Sequence, residues 1–181
     1  MKHMGNLTVT TENVHDFPAV TEIYGHLTIE EGVVLTAPAL TFVRGWVTLA
    51  KDALLTARNL GEINGWLTMT TGSKLESWHL TKAGEVFIEP AAELDAPKLV
   101  IVTALNLQRD AYVVLPELQV VARNLTLLPG ASLFARALER VDMSITLRER
   151  ARLDAPMLSH IGGYYDGDPT ATLVAPKFVN A

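Results

Sequence analysis

Apolar and polar positions alternate in short triplets that return at a nearly fixed interval. Leu7-Thr8-Val9, Leu27-Thr28-Ile29, Val47-Thr48-Leu49, Leu67-Thr68-Met69, Val86-Phe87-Ile88, Leu105-Asn106-Leu107, Leu125-Thr126-Leu127 and Ile145-Thr146-Leu147 share the pattern. A degenerate ninth copy begins at Tyr164, and successive starts lie 19 or 20 residues apart. Period-two alternation around mostly β-branched centres predicts strands with one buried and one exposed face. Thirteen residues after each start stands another apolar residue: Val20, Leu40, Leu60, Leu80, Leu99, Leu118, Leu138 and Leu158. Three positions further on come Ile23, Val43, Ile63, Ala83, Val102, Val121, Val141 and Ile161. These columns predict an inner wall.

A repeat of this length is the mark of a solenoid, in which each unit buries its apolar face only against its neighbours. Some twenty residues leave no room for a strand, a full helix and two connections, so the coils are expected to be built from strands alone. The chain, residues 1–181, is therefore expected to be a single all-β domain, a right-handed parallel β-helix of about nine coils with little or no helix. Parallel strands ~4.8 Å apart would make it a rod on the order of 43 Å long. Corners are marked by a small residue and proline, as in Ala37-Pro38, Ala96-Pro97, Ala155-Pro156 and Ala175-Pro176, and by Leu115-Pro116. Proline donates no hydrogen bond and fixes φ, which suits a turn away from the ladder. Glycine marks a second corner at Gly5, Gly25, Gly45, Gly65, Gly84 and Gly162, where φ freedom or close backbone approach is expected.

The segment "PALTFVRGWVTL", residues 38–49, follows the pattern P-x-L-x-x-V-x-G-x-L-x-I. That pattern, carried through nearly the whole chain, resembles receptor L domains and the wider set of leucine-rich β-solenoid repeats in surface and phage-associated proteins. The resemblance implies a solenoid architecture and a role as a binding surface. The asparagine ladder common in leucine-rich repeats and the cysteines common in extracellular receptor L domains are missing from the repeat.

Composition narrows the function classes. Apolar residues make up 49% and charged residues 19%, a folded balance. Fifteen basic and 20 acidic residues, net charge −5, are spread without blocks, so no basic footprint for nucleic acid is expected. The chain contains no cysteine, which excludes disulfides and thiolate metal sites. The start, Met1-Lys2-His3-Met4, lacks an apolar run of signal-peptide length, and no apolar run approaches the ~20 residues that cross a bilayer. A soluble, cytoplasmic protein with no membrane partner is the expectation.

Candidate chemistry lies on the outward columns. If Leu27, Val47 and Leu67 point inward, the residues before them align outside as Asn6, His26, Trp46, Trp66 and Glu85, with Tyr24, Arg44 and Asn64 two positions further back. Trp46 and Trp66 should stack on consecutive coils, partly in solvent. An exposed aromatic pair beside polar groups is the look of a recognition surface, and equally of side chains that merely pack on one another. The ligand-binding candidates are thus Tyr24, His26, Arg44, Trp46, Asn64, Trp66 and Glu85, and the partner is another protein or a glycan. The file of strand-centre threonines invites comparison with ice-binding solenoids. The next outward column, Thr10, Glu30, Ala50, Thr70, Glu89, Gln108, Leu128 and Arg148, is too irregular for that.

No aligned set of acids and bases suggests lyase chemistry, and His3, His15, His26, His79 and His160 share no metal-ligand spacing. No catalytic residue, metal or cofactor is expected. Asp166-Gly167-Asp168 is read as part of a loop interrupting the last coil rather than as a calcium site. The final coil is apolar, and Leu173, Val174, Phe178 and Val179 are expected to form a homo-oligomer interface, most simply a twofold dimer. The sequence points to a non-enzymatic binding or scaffolding module, of which an inhibitor of another macromolecule is one concrete form. A carbohydrate-binding or carbohydrate-active β-helix protein is the alternative.

Overall fold

The triplets form strands, and each lies in register on its counterpart one coil away. The computed structural model describes residues 1–14, 17 and 19–178. Leu27–Ile29 pairs in parallel with Leu7–Val9 on one side and with Val47–Leu49 on the other, so that Thr8, Thr28 and Thr48 stand in line. The relation repeats as far as Tyr165–Gly167, giving a parallel β-solenoid of about eight turns, essentially without helix among the described residues. Both inner columns expected from the sequence are buried, with Leu40, Leu60, Val43 and Ile63 at 1% exposure or less, except that Ile161 in the last coil is half-buried. Among the described residues no helix is long and apolar enough to cross a membrane.

Two-residue strands such as Glu22–Ile23 and Phe42–Val43 share a sixteen-stranded sheet with the triplets. In two coils the short strand and the triplet fuse, as Lys82–Ile88 and Ile101–Leu107. The cause is one missing corner residue. Ile63 pairs with Ala83 and Leu67 with Val86, so three residues separate the first members of these pairs and only two the second. Those shortened corners are the origin of the 19-residue spacings.

A further strand per coil, not anticipated from the sequence, closes the other wall. Leu35, Leu55, Leu75, Leu94, Val113, Leu133 and Leu153 point inward from its centre and are buried. These strands form two four-stranded sheets, Val34–Thr36 to Glu93–Asp95 and Tyr112–Val114 to Thr172–Val174. Across the division a ladder bond is missing. The Lys74, Glu93 and Ser132 amides donate to Ala53, Ser73 and Ala111, but Tyr112 makes no such bond to Ala92. Buried Leu115 stands beside the break, in a column where the coils on either side carry Ala96 and Ala135. Its extra carbons need volume that the alanines of the neighbouring coils do not, and a close-packed core has little to spare.

The glycine corner serves close approach. The Gly45 amide donates to Gly25 at 2.9 Å and the Gly65 amide to Gly45 at 3.1 Å, and a Cβ on Gly65 would meet the Gly45 oxygen at 2.5 Å. Within this corner only Gly5 has a positive φ (108°); the other positive values fall in a different turn, at Gly32 (68°), Asp52 (58°), Gly72 (72°), Ala91 (58°), Asp110 (58°), Gly130 (75°) and Arg150 (55°).

The last coil corrects two expectations. Ile145 pairs with Tyr165 and Leu147 with Gly167, so the ninth triplet begins at Tyr165, 20 residues on. Its residues form a strand where the sequence suggested a loop. The pattern was obscured because the two inward positions are Tyr and Gly: the Tyr165 ring lies against Gly167, in the space a side chain there would need.

Candidate functional site

The column preceding the triplets is built by the strand alternation that buries Leu27, Val47 and Leu67. His26 and Trp46 stack with ring centroids 4.4 Å apart and planes at 22°. Trp46 and Trp66 follow at 4.8 Å and 6°, and Trp66 meets Phe87 edge-on at 6.2 Å. Trp46 and Trp66 remain 45% and 44% exposed. Because the rings pile up along the rod, their faces are turned to each other and their rims to solvent.

Side-chain hydrogen bonds tie the same column to the backbone. Asn6 Oδ1 accepts from the His26 amide at 3.0 Å, and His26 Nδ1 accepts from the Trp46 amide at 2.9 Å. The imidazole therefore carries its proton on Nε2 when neutral. Farther along, Asn124 Oδ1 accepts from the Ser144 amide and Ser144 Oγ from the Tyr164 amide. A short mixed ladder of Asn, His and Ser thus does locally what a continuous asparagine ladder does elsewhere.

The remaining candidates are divided. Tyr24 is held apart from the stack: its hydroxyl donates to Glu22 at 2.8 Å and accepts from Lys2 at 3.3 Å, and its ring packs on Phe42. Hydrogen bonds from Lys2 and then Tyr24 hold the Glu22 carboxyl below the ordinary carboxylate range. Arg44 and Asn64 are exposed beside the indoles, and Arg44 makes no ion pair among the described residues. Glu85 lies two coils from Arg123 and pairs with it at 3.5 Å, across the buried Ala104.

Among the described residues no three His, Asp or Glu side chains group as metal ligands. Asp166 pairs with Arg148 at 3.0 Å, and Asp168 accepts from both the amide and the hydroxyl of Thr170. Of the proposed oligomer residues, Leu173 is half-buried in an inward column, Phe178 is half-buried, Val174 is exposed on the side of the rod, and Val179 lies outside the described residues.

Sequence reasoning missed Trp78. It stands in the corner column that carries proline elsewhere, 43% exposed, with the Arg58 guanidinium 4.2 Å from its ring centroid. The signal was present as a departure from the small-residue–proline corner in two consecutive coils, Ala57-Arg58 and Ser77-Trp78.

Compared with protein-family models, with curated proteins and with solved structures, the chain matches none.

Proposed function

We propose that the chain is a non-enzymatic binding module that docks a protein partner on the edge formed by His26, Trp46 and Trp66, with Arg44 and Asn64 beside them. The observation that carries this reading is the stack itself. Two large indoles are held in solvent by their neighbours in the column, so little side-chain entropy remains to be lost on docking. Pre-ordered tryptophan is the residue type most often dominant in protein interfaces, and an exposed arginine supplies a complementary charge. The likeness of the repeat to receptor L domains fits such a role, and a cytoplasmic setting belongs to the same proposal.

The carbohydrate reading fits this edge less well. Sugar rings stack on aromatic faces, and here those faces are occupied by His26, each other and Phe87. Affinity capture with the chain as bait tests the choice. A protein retained by the unaltered chain and lost with Trp46→Ala/Trp66→Ala supports the reading. Equal retention by both baits, or glycan binding that the double substitution abolishes, overturns it.

The proposal extends to self-association. His160–Ile161, Tyr165–Gly167 and Thr172–Val174 each have a strand partner on one side only among the described residues. Such open edges are closed most simply by a second copy. Light scattering at micromolar concentration should give a dimer mass, and a monomer mass would refute the extension.

A further inference from the structure

A second surface stands on another wall of the rod, built where the corner repeat departs from its own rule. Pro38 and Pro97 bracket Arg58 and Trp78 in one column, so two long side chains rise where the neighbouring coils are flat. Beside them run the outward residues Thr36, Thr56 and Glu76, and together these groups enclose a groove of about 630 Å³. That volume falls within the range of small-molecule sites.

Arg58, Asn59, Glu76 and His79 are each held by at least one neighbour and keep capacity for another. Arg58 rests on the Trp78 ring and makes no ion pair among the described residues. His79 Nδ1–H donates to the Arg58 carbonyl at 2.9 Å, which leaves Nε2 as an acceptor. Asn59 donates through Nδ2 to the Pro38 carbonyl at 2.8 Å, leaving its side-chain oxygen open. Glu76 accepts from the Thr56 hydroxyl at 3.4 Å and pairs with Lys74 at 3.3 Å. Lys74, outside the groove, is shared with Glu93, also at 3.3 Å, and the lining itself sets one guanidinium, Arg58, against one carboxylate, Glu76, which balance.

From this we infer that the groove binds a neutral oligosaccharide. Alternating hydroxyl, amide, carboxylate and guanidinium groups match the vicinal hydroxyls of a sugar, which both donate and accept. Arg58 takes one face of Trp78, so the apolar surface for the sugar's C–H groups is Pro38 and the exposed remainder of the indole, and a balanced charge neither attracts nor requires an ionic ligand. Three coils cover on the order of 10 Å along the rod, the reach of a di- or trisaccharide. The partner edge around Trp46 and Trp66 takes no part in this.

The test uses Trp46→Phe/Trp66→Phe, which leaves Trp78 as the single tryptophan of three. Maltotriose, cellotriose and chitotriose are titrated separately while its emission is followed. At least one should shift it saturably with half-saturation below about 10 mM, in the weak-affinity range of a small open site. Adding Glu76→Gln, which removes the carboxylate charge, or Asn59→Ala, which removes the amide, should weaken that binding about tenfold, the loss of one hydrogen bond to the sugar. Flat emission with all three sugars, or binding that neither substitution weakens, overturns the inference. Should the reporter variant fail to fold, saturation-transfer NMR with the same sugars on the unaltered protein decides the question, transfer supporting the inference and its absence overturning it. Since the reporter lacks both indoles of the partner edge, failure of the protein-docking reading leaves this result intact.

Discussion

The indoles of Trp46 and Trp66 lie face to face, 4.8 Å apart and within 6° of parallel. That separation is the spacing of parallel strands, so the backbone ladder dictates the side-chain stack. An offset aromatic pair is worth about 1 kcal/mol beyond its buried area. Urea denaturation of Trp46→Ala, Trp66→Ala and the double variant should therefore show a coupling energy of about 1 kcal/mol. Strict additivity would mean that the two rings do not support each other.

Buried Leu115 stands where the second wall divides into two sheets. Replacing a buried leucine with alanine ordinarily costs about 2–5 kcal/mol. Leu115→Ala should cost less than about 2 kcal/mol, because closing the break restores ladder bonds lost at Tyr112. Hydrogen exchange checks it: the Tyr112 amide should become slow in the variant, as its counterpart Ser132, bonded to Ala111, should be already. A full-sized loss of stability with Tyr112 still exchanging freely would show that Leu115 is ordinary core.

Two buried serines on the same wall differ in one respect. The Ser77 hydroxyl donates to the Leu60 carbonyl at 2.8 Å, whereas Ser73 Oγ is buried without a partner. An unsatisfied buried hydroxyl costs about 1–3 kcal/mol, and a satisfied one contributes about 1 kcal/mol. Ser73→Ala should raise the urea midpoint and Ser77→Ala should lower it. A drop in both would mean that Ser73 has found a partner, such as a buried water.

Tyr165 gives the last coil a pH dependence. Burial, and next the charge of Asp166, raise its phenol above the ordinary value of 10.0. A group whose folded pKa is raised stabilises the fold fully below its unfolded pKa and loses that contribution as pH rises through the folded one. Stability measured from pH 9 upward should fall more steeply in the unaltered chain than in Tyr165→Phe, the difference opening above about pH 10. Parallel curves would place the phenol in solvent.

The parts of this molecule that repeat were legible in the sequence, and the parts that break the repeat were not. Leu40, Val43 and their column mates announced themselves by constant spacing, as did the adjacency of Trp46 and Trp66. The third strand of each coil, centred on Leu35 and Leu55, was equally periodic but lay between turns that drew attention to themselves. Tyr165 was misplaced by one residue because Gly167 denied it the usual apolar partner. Nothing in the columns separated Tyr24 from the stack, since its capture by Glu22 and Lys2 depends on side-chain reach. Trp78 went unnoticed, and Leu115 was read with Pro116 as one more corner, because a periodic reading averages away single departures, which are where a regular scaffold places chemistry and strain.

Everything rests on side chains one period apart standing in line along the rod. The chain has no cysteine, so a paired substitution reports on this directly. A disulfide needs Cα atoms about 4.4–6.8 Å apart and fails beyond about 7 Å. Thr48 and Thr68 are direct partners on adjacent strands, and Thr8 lies two coils from Thr48 in the same file. Mild oxidation of Thr48→Cys/Thr68→Cys should give an internal cross-link, seen by mass spectrometry, while Thr8→Cys/Thr48→Cys at ~9.6 Å should not. No link in the first pair, or equal yields in both, would contradict the stacked columns and the surfaces built on them.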